Sequence, residues 1–166
     1  MRKNKCKSLL DYGCGKAVGY TQNFKNIDPK KKIPNFNVPL HTYWGIEDLS
    51  LYDPGTLEYP TLPSKKADIV LCTDVLEHIP EEDLDWLIRE ICSLANTTVF
   101  LNISCQLAKK TFTTGKYKGE NVHVSVFDHA WWVDKIKTIH KDYKELKIYL
   151  TCTSKEGILG TCIKGD

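Results

Sequence analysis

The sequence predicts an α/β domain built on a mainly parallel sheet, and three stretches carry that prediction. Residues 7–11 read as a short buried strand that runs into a glycine turn, Gly13-Cys14-Gly15, and then the first turn of a helix. Residues 67–72 (Ala-Asp-Ile-Val-Leu-Cys) are a near-continuous apolar run, the pattern of a parallel strand covered on both faces. The chain closes with two apolar runs, residues 146–152 and 158–163, around Ser154-Lys155-Glu156-Gly157, as in an antiparallel hairpin. Alternating strands and helices with a final hairpin imply a parallel sheet with an antiparallel edge and helices on both faces.

At 166 residues the chain is expected to form one domain, residues 1–166, with a proper core. Its hydrophobic content of 42% and charged content of 27% are those of an ordinary globular protein. No apolar run approaches the roughly 20 residues that cross a bilayer, and no apolar signal core follows the basic start. The seven cysteines include no C-x-x-C pair and several fall inside apolar patterns. Free buried thiols in a reducing cytoplasm explain them better than disulfides or a zinc site. Charge is segregated: residues 1–45 carry nine Lys/Arg against two acids, and residues 46–90 carry twelve acids against three bases. The basic N-terminal rim suits an anionic partner, nucleic acid included, although no nucleic-acid motif accompanies it.

In chain order, the first helix is expected from about Lys16-Ala17 to Phe24. Residues 25–39, with three prolines and a lysine triplet, read as a long loop. The second strand is Tyr43-Trp44-Gly45-Ile46 or, more convincingly, Leu49-Ser50-Leu51-Tyr52. Asp53 follows it and suits the place where a carboxylate accepts ribose hydroxyls, with Glu47 and Asp48 as rivals. Only fourteen residues separate Asp53 from Asp68, so the second crossover is shortened. After Pro80, the acids Glu81, Glu82 and Asp83 complement a helix N-terminus. Leu84, Leu87, Ile88, Ile91, Leu94 and Ala95 form that helix's buried face. A strand over residues 98–103 comes next, then a polar loop over 104–121 and a brief extended piece over 122–126. Asp128 is the N-cap of a helix carrying Trp131, Trp132, Val133, Ile136 and Ile139.

Three features in this order, residues 9–15, the acid Asp53 and the block from Asp68 to Ile79 (containing Asp74-Val75-Leu76-Glu77-His78), resemble the class I S-adenosylmethionine-dependent methyltransferases. The resemblance covers nearly the whole chain and implies a Rossmann-like fold. It looks closest to compact phage or bacterial members, with the N-terminal cap helix missing and the loop over 25–39 covering the site instead. The resemblance also implies S-adenosyl-L-methionine as cofactor, held by Asp11, Gly13, Cys14, Gly15, Asp53, Cys72 and Thr73. Ala17 stands where the family's motif has a third glycine.

A sulfonium is already an activated electrophile, so such an enzyme mainly aligns nucleophile, methyl and leaving sulfur. An oxygen or nitrogen acceptor must also lose a proton, for which Asp74, His78 and His123 are the catalytic candidates, with Glu77 beside them. The D-x-x-E-H spacing is similar to the metal-binding E-x-x-E-H of some methyltransferases, with Asp74 in place of Glu and His123 and His129 available to complete a site. The reading taken assigns these groups to proton transfer and no metal. The Asn-Pro-Pro-Tyr type of motif used for base amino groups is absent, since Cys72-Thr73-Asp74-Val75 stands there. The expected reaction is methyl transfer to an O or N nucleophile of a small molecule or exposed group. Non-catalytic binding of an S-adenosyl compound is the alternative. A nicotinamide enzyme is disfavoured because the third glycine of G-x-G-x-x-G falls at Val18.

Overall fold

The computed structural model describes residues 6–22 and 38–165. Its element order is β1 (Ser8–Tyr12), α1 (Val18–Thr21), α2 (Leu40–Trp44), β2 (Asp48–Tyr52), β3 (Ala67–Thr73), α3 (Glu81–Ser93), β4 (Ala95–Ser104), α4 (His129–His140), β5 (Lys147–Ser154) and β6 (Gly157–Ile163). A 3₁₀ turn, Leu76–His78, links β3 to α3. The strands form one sheet in the order β2-β1-β3-β4-β5-β6. All neighbours are parallel except β5 and β6, which make the closing hairpin at one edge. This mostly parallel α/β architecture is consistent with a Rossmann-like fold.

Strand alternation divides the core in two. Leu10, Val70, Cys72, Val99, Leu101, Ile148 and Leu150 point to one face and pack with Leu84, Ile88 and Ile91 of α3 and Trp132, Ile136 and Ile139 of α4. Leu9, Ile69 and Leu71 point to the other and pack with Ile46, Tyr20 of α1 and Trp44 of α2. Helix α3 has the expected acidic first turn and buries Leu84, Leu87, Ile88 and Ile91, with Pro80 as its N-cap. The Asp128 cap of α4 is present, its Oδ1 accepting from the Trp131 amide at 2.8 Å. Trp132 is fully buried and Trp131 stacks on Phe127 with centroids 3.8 Å apart, so both tryptophans serve the core.

Several expectations are corrected. The first helix is a single turn that ends at Thr21, because Gln22 is already extended; Phe24 and the loop over 25–39, up to residue 37, lie outside the described residues. Tyr43 and Trp44 belong to helix α2 rather than a strand, with Gly45 closing it in the left-handed region at φ 75°. Ala95 starts β4 instead of ending α3, since Leu94 is the helix C-cap, and the strand therefore begins three residues before its expected start. Residues 122–126 form no strand. The second crossover is short as expected, and residues 53–66 contain neither helix nor strand. Cys14, Cys72, Cys92, Cys105, Cys152 and Cys162 form no disulfide, and Cys72, Cys92 and Cys152 are buried, as is Cys6. Among the described residues no helix is long and apolar enough to cross a membrane.

Candidate functional site

The chain leaves β1 toward β2 on one side and later returns to place β3 on the other, so the order of the sheet reverses between β1 and β3. Open α/β sheets hold ligands outside the carboxyl ends of their strands at such a point. A cavity of about 560 Å³ lies there, lined by Gly13 and Gly15 after β1, Tyr52 and Asp53 at the end of β2, and Asp74, Val75 and His78 after β3. Trp86, Leu87 and Glu90 of α3 form a further wall.

The glycine turn is fastened to β2, since the amides of Gly13 and Cys14 both donate to the Tyr52 carbonyl, at 2.7 and 3.1 Å. Its two glycines do different work. Gly13 has φ 82°, and a Cβ there would stand 2.3 Å from Cγ2 of Val75, so it lets two parts of the protein meet. Gly15 has φ 54° and nothing within 4 Å of such a Cβ, so it leaves the cavity open. Ala17 also takes a left-handed backbone, φ 50°, while buried. For a residue with a Cβ that conformation costs about 1–2 kcal/mol, so the position favours the glycine that the sequence lacks.

Asp53 is tied into this floor. Its Oδ2 accepts from the Gly15 amide at 2.8 Å and its Oδ1 from the Gly55 amide at 2.7 Å. Each oxygen keeps a further lone pair for a ligand hydroxyl. The rivals are excluded by position: Glu47 and Asp48 sit at the other end of β2, roughly 16 Å of strand away, paired with Lys7 and Lys65. Asp68, the acid of the second motif, also lies at that far end, where its Oδ2 accepts from the amides of Lys7 and Ser8 and its carboxyl is held below the usual range.

The remaining cofactor candidates stand back from the cavity. Asp11 is buried on the α1 side, where the Tyr20 hydroxyl bonds it and burial pushes its pKa up to about 6. Burial likewise raises the Cys14 thiol to about 11. Cys72 is fully buried beneath α3, so its side chain is core rather than ligand contact. Thr73 is half-buried and pairs with Asn102. None of these four is among the lining residues. Sequence reasoning missed Tyr52, Trp86 and Glu90. Trp86 is exposed and one helical turn from Glu90, whose Oε1 accepts from the Tyr12 hydroxyl at 2.5 Å. The i, i+4 spacing of Trp86 and Glu90, off the buried stripe of α3, was the available signal.

The catalytic candidates converge on the turn after β3. Asp74 is left-handed, φ 55°, and its Oδ1 accepts from the Asn102 side-chain amide at 3.0 Å. The ring of His78 meets that of His123 edge-to-face with centroids 4.8 Å apart, so two residues 45 positions apart form a pair. Glu77, which precedes His78 in the 3₁₀ turn, is fully buried. Its Oε1 accepts from the Ser104 amide at 2.9 Å and burial raises its pKa, partly offset by such hydrogen bonds. His129 lies elsewhere, its Nε2 beside the Thr161 hydroxyl at 3.0 Å.

Fold and cavity define the class of protein: an open α/β sheet with a cleft at its switch point, floored by glycine and walled by a strand-end carboxylate. No family model, no curated protein and no solved structure matches the chain.

Proposed function

We propose that the cavity binds an S-adenosyl compound and that the chain is an S-adenosyl-L-methionine-dependent methyltransferase of the cytoplasm. The observation that carries the reading is the cleft at the switch point, with Gly15 open to it and Asp53 beside it. The missing Cβ of Gly15 leaves room for backbone-close contact, and the spare lone pairs of Asp53 suit the two hydroxyls of a ribose. The Trp86 indole and the Tyr52 ring offer faces for a purine.

When bound, such a cofactor supplies a methyl group already activated by a sulfonium. The protein's task is then alignment of an acceptor and removal of its proton. Asp74 and His78 border the cavity, with His123 against His78, and these are the groups to take that proton from an oxygen or nitrogen acceptor. The acceptor's identity belongs to the walls beyond the cofactor floor.

The reading is tested by thermal shift with S-adenosylmethionine, S-adenosylhomocysteine and nicotinamide dinucleotides. Ligand at 100 times its dissociation constant should stabilise the fold by about 2.7 kcal/mol. A shift with a dinucleotide and none with either S-adenosyl compound overturns the proposal. Asp53→Ala is expected to weaken S-adenosyl binding by roughly tenfold or more, the worth of one charge-assisted hydrogen bond. Glu47→Ala, at the far end of β2, should leave it unchanged. Release of S-adenosylhomocysteine with a methylated product separates an enzyme from a mere binder.

A further inference from the structure

Glu77 poses a problem that the cavity does not solve. Its side chain is fully buried, yet among the described residues only Oε1 has a donor, and Oε2 has no hydrogen-bond partner. A carboxylate oxygen buried in this way is strongly unfavourable unless a cation or donor faces it. What stands nearby is a pair of imidazoles. One carboxylate oxygen of Glu77 and one ring nitrogen each of His78 and His123 all lie within 4.8 Å of one another.

The two rings are held in a particular tautomer. Nδ1 of His78 is 2.8 Å from the Val122 carbonyl and Nδ1 of His123 is 2.6 Å from the Gln106 carbonyl. A carbonyl only accepts, so each Nδ1 keeps its hydrogen and each Nε2 carries the free lone pair. Fixing the outer nitrogen against a carbonyl is how proteins orient histidines that ligate metals.

The supporting shell is built as well. The Glu77 carbonyl accepts from the amides of Val124 and Ser125, at 2.8 and 3.1 Å, and the Ser125 hydroxyl donates to the Ile79 carbonyl at 2.5 Å. Asn121 braces His123 from the other side: its Oδ1 accepts from the amides of Ala108 and His123, and its Nδ2 donates to the Ala108 carbonyl. Segments far apart in the chain are thus clasped together around three side chains.

We infer that Glu77, His78 and His123 form a binding site for a divalent first-row transition metal. Two imidazole nitrogens with one carboxylate suit Mn²⁺, Co²⁺, Ni²⁺ or Zn²⁺ better than Mg²⁺ or Ca²⁺, which favour all-oxygen sets. Donor atoms about 2.1 Å from a common ion stand roughly 3–3.5 Å apart, so binding draws the three together by about an ångström. Asp74 is not a ligand, because Asn102 holds its carboxylate outside the cluster. Three protein ligands leave coordination positions open, and His78 places them beside the cavity wall. The assignment turns His78 and His123 from proton acceptors into ligands, leaving that role to Asp74, and it stands whatever ligand the cavity takes.

The test uses the full chain dialysed against chelator and titrated with Co²⁺, followed by visible d–d absorption and calorimetry, with Zn²⁺ and Mg²⁺ as further probes. One equivalent of Co²⁺ should bind and be displaced by Zn²⁺, with no heat from Mg²⁺ at the same concentration. Glu77→Gln and His123→Gln should each weaken Co²⁺ by about 100-fold, at least as much as the loss of an outer-shell partner, whereas Asp74→Asn should leave it within about twofold. His78→Gln, at an exposed ring, supplies the same comparison if a buried variant fails to fold. Absence of a Co²⁺ spectrum, or a spectrum unchanged in His78→Gln and His123→Gln, overturns the assignment. Thermal shifts with S-adenosyl compounds on the metal-free chain report separately on the cavity.

Discussion

Two turns face each other across the mouth of the sheet, one after β1 and one after β3, and they are made in opposite ways. Each opens in the left-handed region, at Gly13 with φ 82° and at Asp74 with φ 55°. The first owes its shape to what is missing: two glycines, their own amides and that of Cys14 spent on the Tyr52 carbonyl and on Asp53. The second owes its shape to what is added, with residues 122–125 strapped onto Glu77 and His78 by hydrogen bonds across more than forty positions. The carboxylates of the two regions differ in the same sense. Asp53 has a backbone donor on each oxygen, whereas Glu77, fully buried, has one on a single oxygen. A floor needs its polar groups quiet, and a holder keeps one unanswered. The turns touch where Gly13 meets Val75, so each can be disturbed through the other.

Breaking that contact should give the largest effect. Gly13→Ala places a methyl against a stiff valine in a left-handed backbone and is expected to destabilise by about 4 kcal/mol, combining strain with overpacking. Gly15→Ala meets open space and should lose only about 1 kcal/mol, while binding S-adenosyl compounds more weakly. Urea denaturation and calorimetry on the two variants measure the contrast; equal losses of stability would deny that the glycines have different tasks.

The next effect concerns the carboxylate beneath the floor. Asp11 titrates at about 6 when folded against 3.8 as its ordinary value, because burial disfavours its charge. The folded chain therefore keeps this proton longer than the unfolded chain does. Its contribution is present below pH 4 and is lost as pH rises to about 6, a change on the order of 3 kcal/mol. Asp11→Asn should flatten that slope and raise stability at pH 7 by up to the same amount. Melts at pH 4, 5, 6 and 7 check it, and an unchanged slope would remove Asp11 as the cause.

The smallest effect sharpens the account of the first turn. Ala17→Gly relieves a left-handed alanine but adds unfolded-state freedom, for a net gain of roughly 0.5–1 kcal/mol. Thermal denaturation resolves a change of that size, and a loss would show that the Ala17 methyl packs for more than its strain.

Most of the sheet was legible because its strands are apolar runs bounded by turn chemistry: residues 7–11, 67–72 and the closing hairpin all appear where the sequence places them. Asp53 was legible as a strand-end acid, and the structure separates it from Glu47 and Asp48 by strand direction, which composition does not encode. Helix α2 was not legible, since five residues containing Tyr43 and Trp44 are too few for a helical period and carry strand propensity; only Pro39 and Gly45 at its ends marked it. Cys72 was misplaced for a simple reason: successive strand residues alternate faces, and the motif names a position without naming its face. His78 and His123 were legible together as candidates, with His129 as a rival for completing a site, but their contact depends on a clasp across a long loop that no local pattern reveals.

Strand order has one consequence of a different kind. β6 is the outer strand, and its sequence, Gly-Ile-Leu-Gly-Thr-Cys-Ile, contains no charge and no proline. Ile158 is 70% exposed and Leu159 58%. Sheets ordinarily protect such a border with lysine, proline, a bulge or a covering segment, because unpaired backbone groups are a template for another chain. Among the described residues no strand pairs with the outer side of β6, so its backbone offers a template for another chain at a place that touches neither the cleft nor the histidine pair.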